Sequence, residues 1–184
     1  MKEIIEWLRS YSNKCGLDTF VVGISGGVDS ALTSTLCAET GLKTILVSMT
    51  IHQNKNQLSR AKNHIKYLES KYSNVESVEI LLDHVYDSFK MLFADRKNDL
   101  ALANSRARLR MTTLYQVAQT NNGLVVGTGN KVEDFGVGFF TKYGDGGVDI
   151  SPIGDLMKSE VRKMASDIGV SEEIIKAKPT DGLW

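Results

Sequence analysis

The chain has 184 residues, of which 42% are hydrophobic and 24% are charged, and its 22 basic side chains balance 22 acidic ones. That length predicts one domain with a substantial core, and the zero net charge argues against a general nucleic-acid binder. No segment approaches the roughly 20 apolar residues of a membrane span or the apolar run of a signal peptide, so we expect a soluble cytoplasmic protein with no nucleic-acid or membrane partner.

Helix-like and strand-like patterns alternate along the chain. Residues 2–13 carry apolar side chains at helical spacing, and the apolar, β-branched residues 20–24 predict a buried strand. Further helices are predicted over residues 29–40, 57–72, 85–93, 100–119 and 159–168, and further strands over residues 44–49, 75–82 and 123–127. Gly41 and Gly169 end two of these helices, and Ser171 with the two following glutamates is typical of another helix start. This order predicts an α/β fold, a doubly wound parallel β-sheet flanked by helices on both faces.

Two loops that leave predicted strands have unusual sequences, residues 25–30 and 128–150. In parallel sheets the ligand lies beyond the carboxyl ends of the strands, where the strand order reverses. Nine of the 16 glycines fall between residues 123 and 154, which indicates tight turns or a close approach to a ligand. A flexible surface loop is the alternative interpretation.

Residues 25–30, with the sequence SGGVDS, lie between a predicted strand and a predicted helix. Glycines leave backbone N–H groups open to an anion, and a helix start adds free N–H groups and a partial positive charge. Ser25 and Ser30 add hydroxyl donors, so the segment suits a pyrophosphate. It is not a Walker A loop, because no lysine follows the glycines, and Asp29 fits beside a phosphate if it holds magnesium. A serine–glycine turn with a helix-capping aspartate is the alternative.

Residues 25–30 resemble the PP-loop of ATP pyrophosphatases, which cleave ATP between the α and β phosphates. Three further segments resemble ammonia-dependent NAD synthetase: residues 104–111 (NSRARLRM), 127–133 (GTGNKVE) and 138–149 (GFFTKYGDGGVD). The stretch FTKYGDGG is the most specific, because it separates this family from other pyrophosphatases. The resemblance covers nearly the whole chain and implies a Rossmann-like sheet of the adenine nucleotide alpha hydrolase type.

The resemblance implies a role for each matching residue. The implied ATP-binding residues are Gly23, Ile24, Ser25, Gly26, Gly27, Val28, Asp29, Ser30, Thr128, Lys158 and Thr180. Asp29 and Glu133 are the implied magnesium ligands, and Arg108, Lys142 and Asp149 are implied to bind deamido-NAD. Asp29 and Lys158 are implied to be catalytic. Topology alone also places Ser48 and Met49, at the end of the second strand, near adenine.

Each assignment has a simpler alternative. Arg108 would otherwise lie on a solvated helix face, Glu133 would be a solvated loop acid, and Lys142 would be a surface lysine. Asp149 would cap a turn, and Lys158 would only start a helix.

The glycine-rich segment also contains three aromatic residues, Phe139, Phe140 and Tyr143. Stacking on a pyridine ring is one role open to them. Aromatic side chains more often belong to the core, and we expect that of at least two of the three.

The implied activity is the final step of NAD biosynthesis, in which ATP adenylates the nicotinate carboxylate of deamido-NAD and ammonia then displaces AMP. In this family the active sites form at a homodimer interface, so a dimer is implied. Glutamine-dependent relatives carry a separate amidase domain, for which 184 residues leave no room. Ammonia is therefore the expected nitrogen donor, with magnesium as the cofactor.

Two other functions remain open from the sequence. One is an amide ligase acting on nicotinate mononucleotide (an NMN synthetase), and the other is a non-catalytic ATP-binding module. Other PP-loop enzymes, such as GMP synthetase and tRNA thiolation enzymes, lack the FTKYGDGG stretch. Because family members usually continue past the position of Trp184, we expect a single domain over residues 1–184 that lacks its C-terminal tail.

The cysteines and histidines suggest no metal site or nucleophile. Cys15 and Cys37 have no metal-like spacing, and two thiols in such a chain indicate a reducing compartment. Cys37 lies in an apolar helical run and is predicted to be core. The three histidines also lack metal spacing, and we assign none of them a catalytic role.

Overall fold

The computed structural model describes residues 1–95, 98–138 and 140–178. In these residues α-helices and β-strands alternate as predicted. The helices are α1 (Lys2–Cys15), α2 (Val28–Glu39), α3 (Lys55–Lys71), α4 (Asp83–Met91), α5 (Asp99–Thr120), α6 (Lys158–Asp167) and α7 (Glu172–Ile175), and the strands are β1 (Thr19–Gly23), β2 (Lys43–Thr50), β3 (Val75–Leu81) and β4 (Gly123–Val126). A π-helical turn, Val132–Gly136, follows β4.

The four strands form one parallel sheet in the order β3-β2-β1-β4. The chain steps outward from β1 to β2 and β3, then returns across the sheet to place β4 on the other side of β1. The strand order therefore reverses between β1 and β4, and the loops that follow these two strands are the ones whose sequences stood out. The predicted doubly wound parallel sheet is confirmed.

Both faces of the sheet are buried over β1, β2 and β4, because side chains alternate between two cores along these strands, whereas the edge strand β3 is partly exposed. On one face Phe20 and Val22 of β1 pack with Leu46 and with residues of α1, α2, α3, α6 and α7. On the other face Val21 of β1 and Val47 of β2 pack with residues of α4 and α5. Helix α2 is buried at ten of its twelve positions, so the packing of the helix fixes the position of its N-terminus, which follows residues 25–27.

The segment between β4 and α6 returns to the sheet at its far end. Ile150 forms a parallel bridge with Val126, and the Gly127 N–H donates to the Ile150 carbonyl at 2.7 Å. Both ends of the glycine-rich segment are thus fixed at the carboxyl end of β4.

Two expectations about single side chains met different outcomes. Cys37 is buried, as predicted, and burial raises the pKa of its thiol, while Cys15 is exposed. The expectation that at least two of the three aromatics are core is wrong, because Phe140 and Tyr143 are 48% and 65% exposed. Tight turns carry both residues over the surface, and Phe139 lies outside the described residues. Among the helices of the described ranges, none is long and apolar enough to cross a membrane.

Candidate active site

The loop after β1 folds into a compact turn held by its own serines. Ser25 Oγ and Ser30 Oγ lie 3.1 Å apart, and Ser30 Oγ also donates to the Gly27 carbonyl at 3.0 Å. The Gly27 N–H donates to Ser25 Oγ at 3.2 Å. The two hydroxyls predicted to bind phosphate therefore lie side by side at the start of α2.

The N-terminus of α2 has no side-chain cap, since its N-cap residue is Gly27. Its first backbone N–H groups and its positive dipole end are therefore available to an anion. Val28, 6% exposed, packs into the core and anchors this end of the helix. Asp29 follows in the first turn, with its side chain turned to the residues after β4.

Three charged side chains meet beside this helix end. Lys158 Nζ donates to Asp29 Oδ2 at 2.6 Å and to Glu133 Oε1 at 2.8 Å. The Asp29 and Lys158 side chains are less than one fifth exposed, and that of Glu133 is 36% exposed. We call Asp29 and Glu133 the acidic pair. The fold brings both members, and the lysine predicted to act with them, to one point.

The acidic pair holds Lys158 firmly in its charged form. Burial alone would lower the pKa of the Lys158 ammonium, but its hydrogen bonds to Asp29 and Glu133 raise the pKa above its ordinary value. Lys158 is also the first residue of α6, a position where the helix dipole disfavours a cation. The acidic pair explains why a lysine is found there.

Nearby Asp134 adds to the negative potential. Burial raises the pKa of its carboxyl, and repulsion from Glu133, Asp145 and Asp29 raises it further. The surroundings of the acidic pair therefore favour cations.

The arrangement of the acidic pair fits a divalent cation. Carboxylate oxygens are the hard ligands that Mg²⁺ prefers, and the two carboxylates already converge on a single cationic nitrogen. No cluster of three or more His, Cys, Asp or Glu suited to a metal occurs in the described part of the chain. The pair would thus supply two ligands and leave the other positions to water and phosphate oxygens, as is common for Mg²⁺.

A cleft of about 900 Å³ opens at the carboxyl ends of β1, β2 and β4. Its charged lining is mainly basic, with Arg60, Arg106, Arg110 and Lys178 against Asp145. Burial, and then repulsion from Arg106, lowers the pKa of Arg110 to about 10, so its guanidinium stays charged at neutral pH. A cleft of this size and charge suits an anionic nucleotide.

The predicted ATP-binding residues divide between the cleft and the helix end. Gly23, Ile24, Ser25 and Thr128 line the cleft, whereas Gly26 to Ser30 and Lys158 are not among its lining residues. Of the two residues proposed to lie near adenine, Met49 lines the cleft and Ser48 is buried without lining it. Thr180 lies outside the described residues.

The residues predicted to bind deamido-NAD lie apart from the acidic pair. Arg108 and Lys142 are both exposed and adjacent, because Arg108 Nε donates to the Lys142 carbonyl at 3.2 Å. Asp149 accepts from Tyr115 Oη at 2.9 Å and from the Val125 N–H at 2.8 Å, so both of its oxygens bind protein groups. Substrate binding by these three residues stays a prediction.

Sequence reasoning did not single out several residues that shape the site. Asn130, which is fully buried, donates to Asp29 Oδ1 at 2.9 Å. Arg60 and Gln53 donate to the carbonyls of Gly26 and Ser25, at 3.1 and 3.0 Å. Asn130 stood within the GTGNKVE segment, but nothing in the sequence indicated a contact with Asp29.

The family model and the curated relatives agree on one family. The NAD synthase family model matches residues 1–184. The NH(3)-dependent NAD(+) synthetase of Carboxydothermus hydrogenoformans is 39% identical, over 100% of this chain and 75% of that protein. Across such curated relatives this chain spans 63% to 75% of their length.

Two solved structures are similar to this chain throughout. An NMN synthetase from Francisella tularensis is 34% identical with a TM-score of 0.92, over 100% of this chain and 75% of that one. An NH3-dependent NAD synthetase from Campylobacter jejuni is 32% identical with a TM-score of 0.86, over 95% and 74%.

Proposed function

The chain belongs to the NAD synthase family, and we propose that it catalyses the ATP-dependent amidation of deamido-NAD with ammonia. The products are NAD, AMP and pyrophosphate. One observation carries the proposal: Asp29, Glu133 and Lys158 converge beside the uncapped N-terminus of α2. That arrangement offers donors and charges for a triphosphate at the point where the strand order of the sheet reverses.

In the first step an oxygen of the nicotinate carboxylate attacks the α phosphorus of ATP. The bond from the α phosphorus to the bridging oxygen of the β phosphate breaks, and pyrophosphate leaves with the electron pair. The charge on the leaving pyrophosphate would be stabilised by the N–H groups at the start of α2, the hydroxyls of Ser25 and Ser30, and the Lys158 ammonium. The product is an acyl adenylate.

In the second step ammonia attacks the acyl carbon of the adenylate. The carbon–nitrogen bond forms, the carbon–oxygen bond to AMP breaks, and the nitrogen loses a proton to give the neutral amide. AMP is a good leaving group, whereas an oxide ion leaving directly from the carboxylate is a poor one. The reaction therefore requires cleavage of ATP. Holding both nucleotides together supplies the proximity that the first step needs.

Magnesium, proposed to bind the acidic pair, would act as a Lewis acid that neutralises phosphate charge. The acidic pair would hold the ion while the α2 N-terminus orients the phosphate chain. The basic lining of the cleft, which includes Arg60, Arg106 and Arg110, supports nucleotide binding.

A second substrate is favoured by one specific finding. The solved NMN synthetase from Francisella tularensis has a TM-score of 0.92 to this chain, so nicotinate mononucleotide is the alternative acceptor for the same chemistry. The mononucleotide lacks the AMP half of deamido-NAD, and the two substrates should therefore differ in KM far more than in mechanism. A non-catalytic ATP-binding module would form neither product.

The deciding experiment offers deamido-NAD and nicotinate mononucleotide side by side, each labelled with ¹⁸O in its carboxylate, with ATP, magnesium and ¹⁵N-ammonium. We expect mass spectrometry to find ¹⁵N in NAD and ¹⁸O in AMP, with a higher kcat/KM for the dinucleotide. Faster amidation of the mononucleotide would instead make the protein an NMN synthetase. Formation of ADP, or ATP binding without any turnover, would contradict the proposal.

We also propose that the protein forms a homodimer, that residues 1–184 form one domain, and that the protein acts in the cytoplasm. Support for the dimer comes from an exposed group of apolar side chains on α4 and the residues just after it. This α4 patch consists of Val85, Phe89, Met91, Leu92 and Phe93, which are 38% to 77% exposed. Exposed apolar side chains grouped in this way commonly mark a protein interface.

A further inference from the structure

Asn130 connects the two members of the acidic pair. Its side chain is fully buried between β4 and the π-helical turn. Nδ2 donates to Asp29 Oδ1 at 2.9 Å, and Oδ1 accepts from the N–H groups of Val132 at 3.1 Å and Glu133 at 3.2 Å. One amide therefore binds the carboxylate of one acid and the backbone of the other.

We propose that Asn130 is a positioning residue that sets the two carboxylates of the acidic pair for one divalent cation. This inference rests on the proposed function of the pair as the magnesium site. Asn130 acts through Asp29 and Glu133 and touches neither substrate nor cation itself.

The contact with Asn130 fixes the orientation of the Asp29 carboxylate. Asp29 Oδ1 is taken by the amide, and Asp29 Oδ2 is the oxygen that Lys158 contacts at 2.6 Å. Turning the carboxylate out of this orientation would break its hydrogen bond to the fully buried Asn130 amide, which costs free energy. Asp29 is therefore held with one oxygen directed to the point where Glu133 Oε1 also arrives.

The chemistry of the position requires an amide. The group must donate toward Asp29 and accept from two backbone N–H groups, and only Asn supplies both at this length. Bonds to the second and third N–H groups after it are those of a helix cap. Serine can make the capping bonds as well, but its hydroxyl is too short to reach Asp29 in addition. Asn130→Ser therefore separates the structural role from the positioning role.

The test measures binding of Mn²⁺ to the nucleotide-free protein, from the electron paramagnetic resonance signal of the free ion. We expect Asn130→Ser to weaken Mn²⁺ binding about tenfold, as expected for loss of one hydrogen bond to a charged group. Asn98→Ser is the matched control, because Asn98 caps α5 through the Ala101 N–H and lies at another helix. We expect that control to bind Mn²⁺ as the unmodified protein does.

A kinetic measurement supplies a second readout. In Asn130→Ser the KM for Mg²⁺ should rise by a similar factor at saturating ATP while the thermal unfolding midpoint changes little. Asn130→Thr makes the same capping bonds and fills more of the space, so it should show the same changes in Mn²⁺ binding and in the KM for Mg²⁺. It replaces Asn130→Ser in the test if the serine variant does not fold. Unchanged Mn²⁺ affinity in a folded Asn130 variant would overturn the inference.

Asp29→Asn separates this inference from the proposed function. If Mn²⁺ binding is lost in Asp29→Asn but unaffected in Asn130→Ser, only the positioning role fails. If Mn²⁺ binding survives in Asp29→Asn, the metal site lies elsewhere, and both the inference and the proposed magnesium site are contradicted.

Discussion

At the scale of single residues, the Lys158 ammonium contacts the same two carboxylates that are proposed to hold magnesium. It lies 2.6 Å from Asp29 and 2.8 Å from Glu133. A divalent ion that used these oxygens would have to displace the ammonium, which would then be free to meet a phosphate. Lys158 and the metal should therefore compete in the protein without nucleotide.

The competition gives a prediction with an unusual sign. Lys158→Met should bind Mn²⁺ about tenfold more tightly than the unmodified protein without nucleotide, because the competing cation is gone. The same variant should lose most of its amidation activity. Lys163→Met is the control, since Lys163 lies on the same helix, is exposed and carries the same charge. An equal gain in Mn²⁺ affinity in both variants would show that only the change in net charge matters, and would contradict direct competition by Lys158.

Asp29 gives the complementary prediction. Asp29→Ala should lower kcat by about a hundredfold or more, as expected when a group that stabilises transition-state charge is removed. The fold should survive with lower stability, because loss of the carboxylate leaves the buried Asn130 amide without its acceptor, which costs about 1–3 kcal/mol of a total stability of about 5–15 kcal/mol. Steady-state assays and circular dichroism measure the two effects, with Asp167→Ala as a surface control. An active Asp29→Ala enzyme would contradict the proposal that Asp29 is a magnesium ligand.

The residue scale also shows where prediction from sequence stops. Arg106 and Arg110 line the cleft whereas Arg108 does not. Residues four apart share a helix face, while a residue two positions away points elsewhere, and sequence spacing does not say which face meets the cleft. Asn130 was missed for a similar reason, because its contact with Asp29 joins distant parts of the chain.

At the scale of elements, the loop after β1 is held against α3. Gly26 has a left-handed backbone with φ of +84°, and a Cβ there would lie 2.4 Å from the Gln57 carbonyl oxygen. Arg60 of α3 donates to the Gly26 carbonyl at 3.1 Å. The position of the phosphate loop thus depends on a close backbone contact with its neighbouring helix.

Gly26→Ala should therefore destabilise the protein by about 2–3 kcal/mol and weaken binding of a non-hydrolysable ATP analogue. Gly41→Ala is the matched control, since Gly41 has φ of +77° but a Cβ there would meet no atom within 4 Å. Gly41→Ala adds backbone strain without a steric clash, so it should lose only about 1 kcal/mol of stability and bind the analogue normally. Urea unfolding and calorimetry separate the two variants; equal losses would contradict the packing argument.

The contact between α2 and α3 makes stability depend on pH. His64 is buried and lies 2.9 Å from Ser34 Oγ, and burial lowers its pKa from 6.5 to about 4. Between pH 4 and pH 6.5 the His64 side chain therefore binds more protons in the unfolded chain than in the folded protein. The stability that neutral, buried His64 contributes is fully present above pH 6.5 and is lost as the pH falls toward 4.

Urea unfolding at pH 7 and pH 4.5 measures this effect. The His64 contribution to the free energy of unfolding should decline by about 2–3 kcal/mol between the two. His64→Gln should lack that part of the decline, whereas His84→Gln, at an exposed position, should retain it. Parallel pH profiles for all three proteins would rule out His64 as the cause.

The helices and strands were predictable because apolar periodicity and glycine stops mark them along the chain. The π-helical turn Val132–Gly136 was not predicted. Five residues are too few to show a period, and the turn depends on Asn130 and on the Lys131 N–H, which donates to the Leu156 carbonyl at 3.0 Å. A turn that depends on contacts between distant parts of the chain leaves no pattern in its own sequence from which it could be predicted.

At the scale of the whole molecule, the α4 patch tests the proposed dimer. Phe89 and Phe93 pack together with ring centroids 5.2 Å apart, and Leu92 beside them is 77% exposed. Leu92→Asp should shift the protein to a monomer in light scattering after gel filtration, because a buried unpaired charge is costly. Trp7→Asp, on α1, changes another exposed apolar residue and should leave the dimer intact. A monomeric unmodified protein would contradict the dimer proposal.

The overall topology followed from the order of elements, since alternating helices and strands leave few arrangements of a parallel sheet. The meeting of Asp29, Glu133 and Lys158 was implied by family resemblance and could not be derived from spacing. It arises because β4 lies next to β1, and α6 starts beside the loop that follows β4. The proposed function depends on this meeting point.

Diffraction from crystals grown with Mn²⁺ and a non-hydrolysable ATP analogue tests that point most directly. We expect an anomalous peak coordinated by carboxylate oxygens of both Asp29 and Glu133, with the phosphate chain over residues 25–30 and the Lys158 ammonium moved onto a phosphate. A peak that contacts neither carboxylate, or a triphosphate bound away from the α2 N-terminus, would contradict the account.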